Sequence, residues 1–191
     1  MPQSEMIRKA TYEDLPELME VFGKAREIMR ASGNLNQWND GYPSEIIVRK
    51  DIEEGVCMVS CDDGGVSACM ALIPGPDPTY AHIYEDEEMT VETSWPDDSP
   101  YHVIHRIAST APGQNVARRF LDWAFSMPDI SAIRIDTHKD NVIMHHILQD
   151  YGFRRCGIIR LQSGDTRVAY LKTSGSDISD SCLYKADEVG R

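Results

Sequence analysis

The sequence has no long apolar run. None of its hydrophobic stretches approaches the roughly 20 residues that a membrane-spanning helix needs, and its first five residues lack the basic-then-apolar order of an export signal. We therefore expect a cytoplasmic protein without membrane contact. Aromatic residues are also few, at 8%, yet 41% of the 191 residues are hydrophobic, which suffices for one compact α/β domain and leaves a second full domain unexpected.

Basic residues are scarce. The chain carries 19 lysines and arginines against 31 aspartates and glutamates, a formal net charge of −12. Nucleic-acid binding draws much of its affinity from clustered basic side chains, so this composition argues against a nucleic-acid partner and favours small cations. The five cysteines are odd in number and scattered, which is typical of a reducing compartment.

Convergent metal-ligand motifs are lacking as well. His102 and His105 lie three apart on a predicted strand, and an odd offset sends their side chains to opposite faces. His145 and His146 are neighbours on a predicted helix and diverge by about 100 degrees, so they do not converge with His138 on one ion. We therefore expect no metal.

What the sequence does have is a regular succession of strand and helix patterns. Alternating apolar residues predict strands at 6–10, 56–61, 66–73, 101–109, 132–137, 153–161 and 166–172, with 80–84 a candidate for a further short one. Helical periodicity, capping residues and stop signals predict helices at 12–31, 44–54, 114–127 and 140–150. Residues 1–173 are predicted to form the domain, and 174–191 a polar tail.

Three segments resemble a known family. Residues 101–108 read Tyr-His-Val-Ile-His-Arg-Ile-Ala, 116–124 read Val-Ala-Arg-Arg-Phe-Leu-Asp-Trp-Ala, and 133–141 read Ile-Arg-Ile-Asp-Thr-His-Lys-Asp-Asn, with Tyr-Gly-Phe following at 151–153. With the order of elements, they resemble the GNAT N-acetyltransferase superfamily over about residues 6–172. The resemblance implies an α/β fold with a mixed twisted sheet of about seven strands and flanking helices. It also implies transfer of an acetyl group from acetyl-coenzyme A to an amine.

The resemblance places acetyl-coenzyme A along the central strand, the loop after it and the next helix. The strand-glycine-helix order suits a pyrophosphate, because a helix start offers unpaired amides and the positive end of the helix dipole. We expect cofactor contacts from Ile107, Ser109, Gly113, Gln114, Asn115, Val116, Ala117, Arg118 and Asn141. For Asn141, capping of the following helix is an alternative role.

Two regions depart from the family pattern. Thr110 and Asn115 stand where the phosphate loop usually has Gln or Arg and a second glycine, and the loop is about two residues shorter. Asn115 adopts a left-handed conformation more readily than most residues, so the loop stays compatible with phosphate binding. Leu148 stands where many relatives have a tyrosine that protonates the departing thiolate. Tyr151 comes three residues later and is expected to pack at the helix end.

The resemblance implies that the acceptor site lies between the loop after the first helix and the segment before the central strand. Trp38, Tyr42 and Trp95 in these regions are candidate stacking walls, although a loop tryptophan can instead pack its own loop down. His105 on the central strand is the candidate general base, because an ammonium has no lone pair and histidine titrates near neutral pH. The alternative for His105 is a buried, hydrogen-bonded core histidine.

The central strand and the absence of a nucleophile motif bear on the expected mechanism. Period-two alternation places His105 on one face with Val103 and Ile107, and His102 on the other face with Ile104. The sequence has no Gly-x-Ser-x-Gly motif and no cysteine beside an activating partner, which argues against a covalent acyl-enzyme. Direct attack by the amine is therefore expected.

The sequence thus predicts an N-acetyltransferase that moves an acetyl group from acetyl-coenzyme A to a primary amine of a small molecule or peptide. Two alternatives stay open: an acyl-coenzyme A binding or sensing module without catalysis, and transfer of a longer acyl group. The sequence does not identify the acceptor. A homodimer is one of the oligomeric states that it leaves open.

Overall fold

The structure, a computed structural model, describes residues 6–62, 64–110 and 115–175. Gly113, Gln114 and nearly all of the predicted tail at 174–191 lie outside the described residues. The strands are β1 (Met6–Lys9), β2 (Cys57–Asp62), β3 (Gly65–Pro74), β4 (Ile83–Tyr84), β5 (Glu92–Thr93), β6 (His102–Ser109), β7 (Ala132–Thr137), β8 (Arg154–Arg160) and β9 (Thr166–Thr173). The helices are α1 (Leu15–Ala31), α2 (Glu45–Glu53), α3 (Val116–Phe125) and α4 (Val142–Asp150).

The described strands form one mixed sheet in the order β1-β2-β3-β6-β7-β9-β8-β4-β5. The expected α/β class and its mixed sheet are confirmed, but the sheet has nine strands rather than about seven. The two additional strands, β4 and β5, are two residues long and attach to β8 at the edge. β4 lies within the 80–84 segment that the sequence offers as a candidate short strand, whereas β5 carries too few residues for an alternating pattern to be recognised.

The two central strands, β6 and β7, run parallel and part after three residue pairs. Their register covers His102–Ile133, Val103–Arg134 and Ile104–Ile135, and β6 then continues to Ser109 and β7 to Thr137. β6 stays paired with β3 and β7 with β9 beyond this point. The sheet is therefore open in its middle, with a strand edge on each side of the opening.

Helices cover both faces of the sheet. On one face, α3 and α4 pack Phe120, Leu121 and Leu148 against the central strands. On the other, α1 buries Leu18 and Phe22 against β2 and β3. The predicted start of the first helix is modified, because a 3-10 turn at Tyr12–Asp14 precedes α1. None of the helices in the described ranges is long and apolar enough to cross a membrane.

A β-bulge in β6 overturns part of the predicted alternation. His105 pairs with Ala71 and Ala108 with Cys69, so two residues of β6 oppose one of β3, and Arg106 has a left-handed φ of 55°. After the bulge, Ile107 packs into the cluster that contains Ile104, and Ala108 packs against α1. Ile107 therefore does not share the face of Val103 and His105 as expected, because the extra residue reverses the order of faces.

The attachment of β4 depends on a glycine. Gly157 in β8 has a φ of 153°, and a Cβ there would collide with the backbone carbonyl of Tyr84. We expect Gly157→Ala to lower the free energy of unfolding by about 2–3 kcal/mol, measured by denaturant titration. Gly164 has a φ of 92° but open space around a Cβ, so Gly164→Ala should cost only about 1 kcal/mol. A Gly157→Ala loss no larger than the Gly164→Ala loss would contradict this packing.

Candidate active site

Two cavities meet at the opening between β6 and β7. The first, of about 500 Å³, is bounded by α1, the end of β6 and the starts of α3 and α4. The second, of about 1100 Å³, is bounded by the 36–42 loop, β6, β7 and the β8–β9 turn. Residues that line both cavities are Met29, Trp38, Ile107, Asn141 and Met144. The cavities are therefore adjacent, and we name these five mostly apolar residues between them the throat.

The first cavity gathers the predicted cofactor residues. It is lined by all of those that the structure describes: Ile107, Ser109, Asn115, Val116, Ala117, Arg118 and Asn141. Asn115 has a φ of 53° and directly precedes α3, so the left-handed conformation expected for it is present. The first turn of α3 carries no acidic residue. A helix start of this kind presents backbone amides and a positive dipole end. We name this first cavity the α3 groove.

Asn141 takes the capping role in the structure. Its side-chain oxygen accepts a hydrogen bond from the Met144 amide at 3.1 Å, and its Nδ2 donates to Gln37 Oε1 at 2.9 Å. Leu148 is fully buried, as a core residue of α4. Tyr151 lines the α3 groove, packs on Phe125 and donates to Asp122 Oδ1 at 2.7 Å.

His105 lies in the second cavity, held by an aspartate from the segment after β3. Its Nε2 is 3.0 Å from Asp77 Oδ2. That hydrogen bond lowers the pKa of the Asp77 carboxyl to about 2, against the effect of its burial. An ionised carboxylate only accepts hydrogen bonds, so Nε2 carries the proton and the neutral ring has its lone pair on Nδ1.

A second carboxylate faces the other nitrogen of that ring. Asp136 Oδ1 is 3.8 Å from His105 Nδ1 and accepts a hydrogen bond of 2.6 Å from the Tyr80 hydroxyl. Burial raises the pKa of Tyr80 far above its usual value, so this hydroxyl stays a donor. On the far side, Arg167 Nε is 4.0 Å from Asp136 Oδ2. The histidine thus lies between two carboxylates within a mixed-charge cavity, which we name the acceptor cavity.

The 36–42 loop supplies one wall of the acceptor cavity. Trp38 and Tyr42 both line it, with ring centroids 6.3 Å apart, and Trp38 also packs edge-on against Phe22 at 5.7 Å. Trp38 is therefore both a wall and an anchor of its loop. The Tyr42 hydroxyl accepts from Arg106 Nη1 at 3.2 Å, and Arg106 also makes two hydrogen bonds of 2.7 Å to Asp51 on α2.

Trp95 is not where the sequence analysis expected it. Its side chain is buried and lines neither of the two cavities described above. It stacks on Tyr80 at 5.7 Å, and its Nε1 donates to the Tyr80 carbonyl at 2.9 Å. The guanidinium of Arg134 lies between the rings of Trp95 and Tyr101, at 4.0 and 3.8 Å from their centroids. These contacts make Trp95 a support behind Tyr80 rather than a wall.

The sequence analysis missed the partners of His105. Asp77 and Tyr80 lie in one short segment after β3, and Arg167, which faces Asp136, lies on β9; no local pattern links these residues to His105. Asp77 lies in the Pro74-Gly75-Pro76-Asp77-Pro78 stretch, whose prolines and glycine predict an irregular loop. Only the acidic and aromatic composition of the 77–101 segment gave a weak signal.

The other histidines do not converge. His138 Nδ1 is 3.4 Å from Asp140 Oδ2, His145 Nδ1 is 2.7 Å from the Tyr170 hydroxyl, and His146 lines the α3 groove. Among the residues that the structure describes, no group of three His, Cys, Asp or Glu side chains is placed to hold a metal ion.

No family model matches the chain, and no curated protein does either. Solved structures do match. An acetyltransferase of the GNAT family from Streptococcus agalactiae is 32% identical, with a TM-score of 0.78 over 91% of this chain and 98% of that one. A GNAT-family acetyltransferase from Listeria monocytogenes is 18% identical, with a TM-score of 0.64 over 89% and 95%. A ribosomal-protein-alanine N-acetyltransferase from Brucella melitensis is 17% identical, with a TM-score of 0.61 over 88% and 99%.

The last two structures show a shared fold, whereas the identity with the Streptococcus protein extends over nearly the whole of both chains. The chain therefore belongs to the GNAT family of acetyltransferases.

Proposed function

We propose that this protein transfers an acetyl group from acetyl-coenzyme A to the primary amine of a small molecule or peptide by direct attack. The observation that carries the proposal is His105. Its ring is fixed by an ionised carboxylate and lies in a cavity adjacent to the groove at the start of α3. A cofactor groove and an acceptor cavity that share a throat are what a direct transfer requires.

The α3 groove fits coenzyme A. The start of α3 presents amides to an anion, Asn115 turns the chain into the helix, and Arg118 lines the same groove. When bound there, acetyl-coenzyme A supplies the acetyl thioester.

His105 is proposed to take the proton of the attacking amine on Nδ1. Asp77 holds the Nε2 proton, which fixes the tautomer and directs the ring. Asp136, near Nδ1 and held by Tyr80, stabilises the imidazolium that results. Leu148 is buried, and none of the described residues that line both cavities is a tyrosine that could protonate the thiolate. The departing thiolate is therefore proposed to leave to solvent or to be protonated by water.

The first prediction concerns the cofactor and the reaction. Acetyl-coenzyme A and free coenzyme A should bind in titration calorimetry and raise the melting temperature, because ligand binding to the folded state stabilises it. With a panel of primary amines, thiol release should accompany acetylation. Binding without thiol release for any amine would favour a coenzyme A sensing module, and no binding at millimolar concentration would contradict the cofactor proposal.

The second prediction tests the base. His105→Ala should lose roughly 10²-fold or more in kcat and also the acidic limb of the pH profile, since a base must be deprotonated to act. His102 lies three residues earlier and lines neither cavity, so His102→Ala serves as the control with near-normal turnover. A folded His105→Ala protein that keeps the acidic limb would show that another group takes the proton.

Asp77→Asn extends this test to the tautomer. The pKa of Asp77 is about 2, so in the wild-type protein it stays ionised down to about that pH and contributes nothing to a limb near neutrality. An asparagine amide can donate to Nε2 and leave the ring proton on Nδ1, so kcat should fall by about 10²-fold in a folded protein. Unchanged kcat in Asp77→Asn would remove Asp77 from the proposal.

The third prediction separates the two tryptophans. Trp38 lines both cavities, so Trp38→Ala should raise KM for the acceptor and for acetyl-coenzyme A while the protein stays folded. Trp95 is buried, so Trp95→Ala should instead lower the free energy of unfolding by about 3–5 kcal/mol. Steady-state kinetics and denaturant titration of both variants check this; a stable Trp95→Ala protein with altered acceptor KM would be the contrary result.

A further inference from the structure

Arg167 in β9 is a buried cation whose hydrogen-bonding capacity is largely unused. It lines the acceptor cavity with its side chain 8% exposed. Among the described residues, its one hydrogen bond runs from Nη1 to the Thr166 carbonyl at 2.8 Å. Its nearest carboxylate oxygens, on Asp136 and Asp165, are 4.0 Å from Nε and 3.9 Å from Nη2, beyond hydrogen-bonding distance.

Arg106, which also lines the acceptor cavity, differs from Arg167 in its hydrogen bonds. Arg106 binds Asp51 through two hydrogen bonds of 2.7 Å, so this pair of guanidinium N–H donors already has a carboxylate partner. The Arg167 guanidinium forms ion pairs with Asp136 and Asp165 at 4.0 and 3.9 Å but has no such pair of short hydrogen bonds. A carboxylate is the group that matches two parallel N–H donors of a guanidinium. The cavity side of Arg167 is therefore shaped for a carboxylate from a ligand.

The position of Arg167 fixes where that carboxylate would lie relative to the amine. Asp136 is next to both groups, with one oxygen 3.8 Å from His105 Nδ1 and the other 4.0 Å from Arg167 Nε. A ligand that spans this carboxylate places an anion at Arg167 and a cation beside Asp136 and His105. In an amino acid, the two charges are separated by one carbon atom.

We propose that the acceptor is a carboxylate-bearing amine of the amino-acid class, with its carboxylate on Arg167 and its amino group beside Asp136 and His105. This inference rests on the proposed acetyl transfer. A polyamine is the competing occupant, because Asp40, Asp77, Asp136 and Asp165 line the cavity. However, Asp77 is engaged by His105 and Asp136 by Tyr80, which leaves fewer carboxylates for a second cation.

Matched acceptors test the inference directly. The full chain is assayed by thiol release with acetyl-coenzyme A against the twenty protein amino acids, each paired with its α-carboxamide, and against linear diamines. For the best amino acid, kcat/KM should exceed that of its carboxamide by at least about tenfold, as expected for a charge-assisted pair. The carboxamide has the less basic amine and hence more free base, so intrinsic reactivity works against this result. Carboxamides or diamines used equally well would overturn the inference.

Variants of Arg167 identify the residue responsible. In Arg167→Met, the ratio of kcat/KM for the amino acid to that for its carboxamide should fall to about one. KM for the acceptor should rise, and KM for acetyl-coenzyme A should stay unchanged. Arg167→Lys keeps the charge but not the fork, so an intermediate preference is expected, and this variant decides if Arg167→Met does not fold. Arg160→Met is the matched control, an exposed arginine on the neighbouring strand outside both cavities. Wild-type preference in the folded Arg167 variants would overturn the assignment.

Binding without chemistry separates this inference from the proposed function. Calorimetry with free coenzyme A present should show heat for the preferred amino acid and at least about tenfold weaker binding for its carboxamide. If no amine is acetylated but this selectivity holds, acetyl transfer fails and the Arg167 site stands. If acetylation proceeds without selectivity in either measurement, acetyl transfer stands and the amino-acid inference falls.

Discussion

The parting of β6 and β7 is the constraint on which the rest of the site depends. Two parallel strands that stayed paired would bury their edges in each other, and the α3 groove and acceptor cavity would not meet. Here the pairing stops at Ile104 and Ile135, while β3 and β9 hold the outer edges of the two strands. The flanking antiparallel ladders therefore supply the stability that lets the centre of the sheet stay open.

The bulge at Arg106 acts at the same place. It reverses the order of faces in β6 after His105, so Ile107 turns toward the throat while His105 lines the acceptor cavity. The left-handed backbone at a non-glycine residue costs about 1–3 kcal/mol and persists only where the surroundings fix it. Asp51 and Tyr42 bind the Arg106 side chain and are the contacts that hold it.

The segment that carries Asp77 and Tyr80 has little regular structure, yet it is firmly held. The Asp77 amide donates to the Tyr101 hydroxyl at 3.2 Å, and Trp95 binds the Tyr80 carbonyl. Arg134 lies between the Trp95 and Tyr101 rings, a cation-π arrangement that gains strength from burial. Aromatic packing thus holds this segment in place, as backbone hydrogen bonds hold the strands of the sheet. It positions Asp77 and Tyr80 near His105.

The sequence by itself determined the order of elements, most strand and helix bounds, the left-handed Asn115 and the location of His105 on the central strand. These follow from periodicity and turn chemistry, which act over a few residues. Only the tertiary structure decided that His105 lies beside Asp77 and Asp136, that Arg167 faces Asp136, and that Trp95 is buried. The reason is physical: Asp77 and His105, for example, are 28 residues apart in the chain, and such contacts are set by sheet register, a bulge and side-chain packing rather than by any local pattern.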